Sequence, residues 1–279
     1  MRFSSAHQRA FHPLFWWVWA ALISSLVLVE NSASISIAAA ISSSLIVFWF
    51  RKPTYWHATY FWALRFAAIA FSIRIFIGIA IGVPMPGKVL FTLPQLTLPD
   101  FLVGIRLGGV VTSQRLETAF REATLLVALI LIFAAANSLS NPHALLRVLP
   151  KRFYGIGLAG VIATSVAPQS AKSISRVRAA KRLRGQEVNT LSAWRGVALP
   201  VLEDALERSI DLAAALESRG YGLQKTPSRY RPEKWRSTEF LALSGPVYLI
   251  VAFLLVPQIS QLFLALGVLI LSLTPAVNS

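Results

Sequence analysis

Two arginines carry the chemistry that this chain offers. Arg184 and Arg219 each stand directly before a glycine, and they close the segments AKSISRVRAAKRLRG and VLEDALERSIDLAAALESRG. A guanidinium presents a planar fork of donors that matches a carboxylate, and Gly185 or Gly220 behind it lets the chain turn away without bulk. A simpler account is open as well. Glycine just past a helix enters the left-handed conformation without a Cβ clash, and a cation in the last turn suits the negative end of the helix dipole. A third pair, Arg195-Gly196, follows only a few helix-compatible residues and precedes Val-Ala-Leu-Pro. Nothing marks it as the tip of a long helix.

No other reactive constellation is present. The chain has no GxxxxGK[ST] phosphate loop and no HExxH, GxSxG or CxxC pattern, and its four histidines, His7, His12, His57 and His143, are scattered. The absence of cysteine excludes disulfides, thiolate metal sites and thiol catalysis. Glu203-Asp204 reads as a solvated helix face rather than a magnesium site. An enzyme has no residues to stand on here, and no cofactor or metal is expected.

The elements that must position the two arginines belong to a membrane protein. Over 279 residues, 55% are hydrophobic and only 14% charged, and the mean hydropathy is +0.60, too apolar for an ordinary soluble globule. The formal net charge of +15 lies beside apolar runs, where a cytoplasmic excess of Lys and Arg explains it better than nucleic acid does. The first apolar run follows Arg2 and Arg9, holds Trp16, Trp17 and Trp19 and shows no small-residue cleavage site, so it reads as a membrane helix rather than a signal peptide.

Taken in order, residues 13–29 and 34–50 are each about long enough to cross a hydrocarbon core of roughly 30 Å. A hairpin at Glu30-Asn31-Ser32-Ala33 joins them, with Arg51-Lys52 on the cytoplasmic side and Trp49, Tyr55, Trp56, Tyr60 and Trp62 near that boundary. Residues 59–83 form a third span. It carries Arg65, close enough to its end to snorkel, and Arg74, deep enough to need a partner such as Glu117 or Glu122, or else a substrate. Pro84–Leu116 is expected to lie along or partly within the outer face rather than to cross, with a helix beginning at Thr97–Asp100, and Glu122–Leu139 is a fourth span. Phe240–Val256 and Ile259–Leu273 form a closing pair, which leaves both termini cytoplasmic.

Between Arg147 and Arg236 lie 17 of the 27 basic residues and 7 of the 12 acids. After a short amphipathic helix broken at Pro150, the apolar stretch Leu158–Ala167 reads as buried against other helices, and Pro168 as the head of the first Arg-Gly helix. The second begins near Pro200. Its apolar positions include Leu202, Leu206, Leu212 and Leu216, and Asp204 stands four residues before Arg208. The fold class expected is an all-α membrane protein with about six transmembrane helices and a cytoplasmic platform of two or three amphipathic coupling helices. Its parts are residues 1–141 in the membrane, 142–238 as the platform and 239–279 back in the membrane.

At RAAKRLRG (Arg178–Gly185) and AAALESRGYG (Ala213–Gly222) the chain resembles the transmembrane T component of energy-coupling factor transporters, the family of the CbiQ-type cobalt-transport permeases. Weaker agreement extends to SNPHALLRVLP and to Pro168, over roughly residues 95–225. Leu183 and Ser218 replace the alanine of the family's Ala-Arg-Gly form. The resemblance implies a plasma-membrane coupling subunit, with two ABC-type ATPases docked on the Arg-Gly tips and a separate substrate-binding membrane subunit beside it. The cargo would be a vitamin or a transition-metal ion. Arg184, Gly185, Arg219 and Gly220 would couple to the ATPases, and Leu202, Leu206, Leu212 and Leu216 would form the coupling-helix surface. Two other readings stay open. One is an ABC permease that binds substrate itself at Arg74; the other is a membrane scaffold whose basic platform docks acidic proteins or lipid.

Overall fold

Small side chains decide how the apolar helices meet. In a computed structural model, which describes residues 11–50, 57–81, 85–96, 107–148, 150–186, 191–223, 235–255 and 261–277, the chain is mostly helical and divides into two compact units. The first comprises Met1–Asn141 and Lys234–Ser279; the second is Pro142–Glu233.

The first unit contains α1 (Phe15–Glu30), α2 (Ala33–Trp49), α3 (His57–Ala80), β1 (Val89–Leu96), β2 (Leu107–Thr112), α4 (Ser113–Leu139), α8 (Ser237–Leu255), α9 (Gln261–Leu271) and α10 (Thr274–Val277). Asn31 turns α1 into α2 in the left-handed conformation, with φ 46°, a state that Asn tolerates better than most residues. On α2, Ser36, Ser42 and Ser43 are buried and donate to carbonyls of their own helix at 2.9 to 3.0 Å. Their hydroxyls are thereby satisfied while their small bulk lets neighbours approach. Ala119, Ala123, Ala128, Ala135 and Ala136 do the same on α4, which packs against α1, α2 and α3. A Cβ at Gly78 of α3 would collide with Ala119, and one at Gly245 of α8 would come within 2.7 Å of the Leu271 carbonyl.

Among the described residues, three helices are long and apolar enough to cross a membrane: Thr59–Ala80, Ser113–Leu139 and Ser237–Leu255. The helices α1 and α2, at 16 and 17 residues, are shorter, and α9 has 11 residues. The helix α3 is peripheral and turns Phe66, Ile69, Ile73 and Phe76 outward. Such a surface suits lipid, which solvates leucine-like side chains without penalty.

The structure adds detail to two expectations for this unit. Within Pro84–Leu116, expected along or partly within the outer face, β1 and β2 pair antiparallel as a hairpin in an otherwise helical unit, with Phe91 opposite Val111 and Leu93 opposite Gly109. The sequence VLFTLPQL holds β-branched and aromatic residues at strand-like spacing, and Gly108 and Gly109 take positive φ. The helix start proposed at Thr97–Asp100 lies outside the described residues. The helix that carries the fourth apolar run begins earlier than Glu122: Thr112 caps α4, and its hydroxyl accepts from the Arg115 amide.

The second unit is built from α5 (Pro142–Val148), a 3-10 turn (Lys151–Phe153), α6 (Tyr154–Leu183) and α7 (Leu191–Ser218). Both prolines expected to start helices lie inside them. Pro168 sits midway along α6, and Pro200 is well inside α7. Each removes one backbone bond, and each is exposed, so the freed carbonyl is not stranded in a core. Leu158–Ala167 is therefore the first half of α6 rather than a separate buried segment, and none of its residues is buried.

Candidate functional site

The two Arg-Gly tips have the same backbone geometry. At the end of α6, Gly185 takes φ +71°, its amide donates to the Arg182 carbonyl at 3.0 Å, and the Gln186 amide reaches back to Lys181 at 3.1 Å. At the end of α7, Gly220 takes φ +75°, its amide donates to Glu217 at 2.8 Å, and the Tyr221 amide reaches Leu216 at 3.0 Å. This paired closure is the Schellman motif, which uses up carbonyls that a helix end leaves open. No atom lies within 4 Å of a Cβ built at Gly185, so the left-handed φ rather than space selects glycine there. Arg184 and Arg219 are both exposed.

Packing places the tips far apart. Tyr154 at the start of α6 meets Tyr221 beyond the end of α7, with ring centroids 6.5 Å apart. Ser173 near the middle donates to Asp204 at 2.6 Å, and Arg178 lies 4.2 Å from the centroid of Trp194. The helices thus run antiparallel, in contact near both ends and between. Arg184 and Arg219 occupy opposite ends of the pair, roughly 40 Å apart at 1.5 Å per helical residue. Arg195-Gly196 is interior to α7. Gly196 leaves room for the Lys181 ammonium of α6, so the same dipeptide serves close approach there.

One titrating group ties the pair together. The Ser173 hydroxyl, and after it Arg208, hold the Asp204 carboxyl below the usual carboxylate range, since both donate to the ionised form. Arg208 is the i+4 partner expected from the sequence, at 2.6 Å. Ser173 was not foreseen.

The four leucines proposed as one surface divide between two faces. Leu212 and Leu216 are partly buried and share a stripe with the buried Val197 and with Asp204, on the side that meets α6. Leu202 and Leu206 stand with Leu199 and Ile210 on the far side, 57% to 69% exposed. A periodicity reading merges the two because both recur every three or four residues.

In the first unit, Arg74 forms an ion pair with Glu122. That is the structural alternative to a substrate contact, and Glu122 rather than Glu117 is the partner. Two buried charged residues escaped the sequence reading. Arg115 is 4% exposed and donates to three carbonyls: Gly78 at 2.9 Å, Ile79 at 2.6 Å and Val110 at 3.0 Å. It closes the C-terminal turn of α3 with a cation from another helix. Its position was a usable signal, because a cation in the first turn of its own helix opposes the dipole and implies a partner elsewhere. Glu239 is 2% exposed and accepts from the amides of His12 at 2.6 Å and Arg236 at 3.0 Å. The second bond is the reach-back of a capping box at the head of α8.

Among the described residues no group of three or more His, Cys, Asp or Glu is placed to hold a metal ion. Comparison with known protein families and with curated proteins found no match to this chain.

Proposed function

We propose that this chain is the membrane coupling subunit of an energy-coupling-factor-type ABC importer. In this role it passes ATP-driven motion of two ATPase subunits to a separate substrate-binding membrane subunit, for uptake of a vitamin or a transition-metal ion across the plasma membrane. The observation that carries the reading is the repetition of one arginine-tipped helix closure at the two ends of a single antiparallel pair. Two equivalent tips at opposite ends suit two equivalent receptors, and an exposed guanidinium suits an acidic groove on each. The resemblance at Arg178–Gly185 and Ala213–Gly222 points to the same role, and the exposed stripe of Leu199, Leu202, Leu206 and Ile210 is the face assigned to the membrane partner. The about six spans, the cytoplasmic placement of both termini and the platform facing the ATPases belong to this proposal. The pairing of Arg74 with Glu122 supports a structural role for that arginine over the substrate contact that a self-sufficient permease would need.

The test is charge reversal at the tips. Arg219→Glu and Arg184→Glu are each expected to abolish co-purification of ATPase subunits or to uncouple ATP hydrolysis from uptake. Either variant retaining both at wild-type level contradicts the assignment.

A further inference from the structure

A groove of about 610 Å³ opens in the first unit between α3, α4 and β1. Its walls are Phe71, Ile75, Leu90 and Phe120, and Glu117 is the one charged residue lining it. Phe71 and Phe120 meet edge to face at 6.1 Å. The helix α4 has 27 residues, roughly 40 Å, which exceeds a 30 Å hydrocarbon core by about 10 Å. The excess falls at its N-terminal end, where Gln114, Arg115, Glu117, Thr118, Arg121 and Glu122 gather before the apolar run from Ala123. Glu117 and Arg121 are therefore at headgroup level. Both are exposed, and neither forms an ion pair among the described residues.

The two charges are stacked in a definite order. Glu117 and Arg121 are one helical turn apart on one side of α4, about 6 Å along the axis, with the carboxylate nearer the membrane surface. A zwitterionic phospholipid carries its ammonium outermost, its phosphate next and its acyl chains deepest. We propose that this groove holds one phospholipid with a primary-amine headgroup: its ammonium donates to Glu117, its phosphate accepts from Arg121, and an acyl chain lies along Ile75 and Phe71. A primary amine can donate hydrogen bonds to the carboxylate, whereas a quaternary ammonium cannot. An anionic headgroup without an amine would set its charge against Glu117. The lipid-facing surface of α3 continues the groove, and no part of the importer proposal is needed for it.

The full-length protein, delipidated in detergent, is titrated with dioleoyl phosphatidylethanolamine, phosphatidylcholine and phosphatidylglycerol, and retained lipid is counted by native mass spectrometry. One ethanolamine lipid is expected to be retained about tenfold more tightly than either of the others, the scale of one charge-assisted hydrogen bond. Glu117→Gln should bring ethanolamine and choline lipids to equal retention, and Ile75→Trp, which fills the groove while keeping a lipid-compatible surface, should abolish retention of all three. Equal retention by the wild type, a preference for the glycerol lipid, or a selectivity unchanged by Glu117→Gln each overturns the proposal. Circular dichroism of both variants separates loss of the lipid from loss of the fold.

Discussion

The hydroxyl of Ser173 on α6 donates to the carboxylate of Asp204 on α7 at 2.6 Å, and Arg208 reaches the same carboxylate oxygen at 2.6 Å. Two helices that each carry an arginine tip are thus joined near their middles by a shared anion.

That bond predicts a pH dependence. The folded-state pKa of Asp204 is depressed by Ser173 first and Arg208 second, so the stabilisation is present above the unfolded carboxylate value of about 3.9 and is lost as pH falls through the folded value. Hydrogen exchange at the α6–α7 contact in the full-length protein, corrected for intrinsic rates, should rise on acidification below about pH 4. Asp204→Asn should show faster exchange at neutral pH and less acid dependence. Identical profiles for the two proteins would contradict the assignment.

The glycines at the tips should respond unlike a glycine inside a helix. Gly185→Ala and Gly220→Ala each force alanine into the left-handed region at a cost of about 1 to 2 kcal/mol. Gly155→Ala, in the first turn of α6 with open space around it, should instead stabilise by about 0.4 to 1 kcal/mol. Equilibrium unfolding in mixed micelles reads both signs, and destabilisation by all three would refute the backbone argument.

Arg115 should be intolerant of truncation. Arg115→Leu leaves the carbonyls of Gly78, Ile79 and Val110 without their donor, and a loss of about 3 kcal/mol or more is expected. Arg115→Lys keeps the charge but not the fork, and it should recover only part of that stability. Protease sensitivity at the junction of α3, the hairpin and α4 gives the readout; a wild-type digestion pattern for Arg115→Leu would show that water replaces the guanidinium.

Much of this molecule could be read before folding was considered. Apolar runs mark most helices of the first unit to within a few residues, because a helix suited to lipid is apolar along its length and ends at the first polar residues; α4 is the exception, since its polar first turns extend it back to Ser113. The Arg-Gly tips were equally legible, since a left-handed cap needs glycine and the need is local. The prolines misled for the same reason. Proline is ordinary at a helix start, and only the exposed setting of Pro168 and Pro200 shows why a long helix continues through them.

By itself the sequence determined where apolar helices suited to a membrane run, and that two of its helices end in an arginine before a left-handed glycine. These follow from composition and from interactions within one helical turn. Tertiary structure alone decided that the two tips point to opposite ends of one pair, that Leu202 and Leu212 serve different faces, that Arg115 closes a helix other than its own, and that a hairpin covers the end of α3 and α4. Each of these depends on which elements become neighbours, and the partners lie tens of residues away, beyond the reach of any local periodicity.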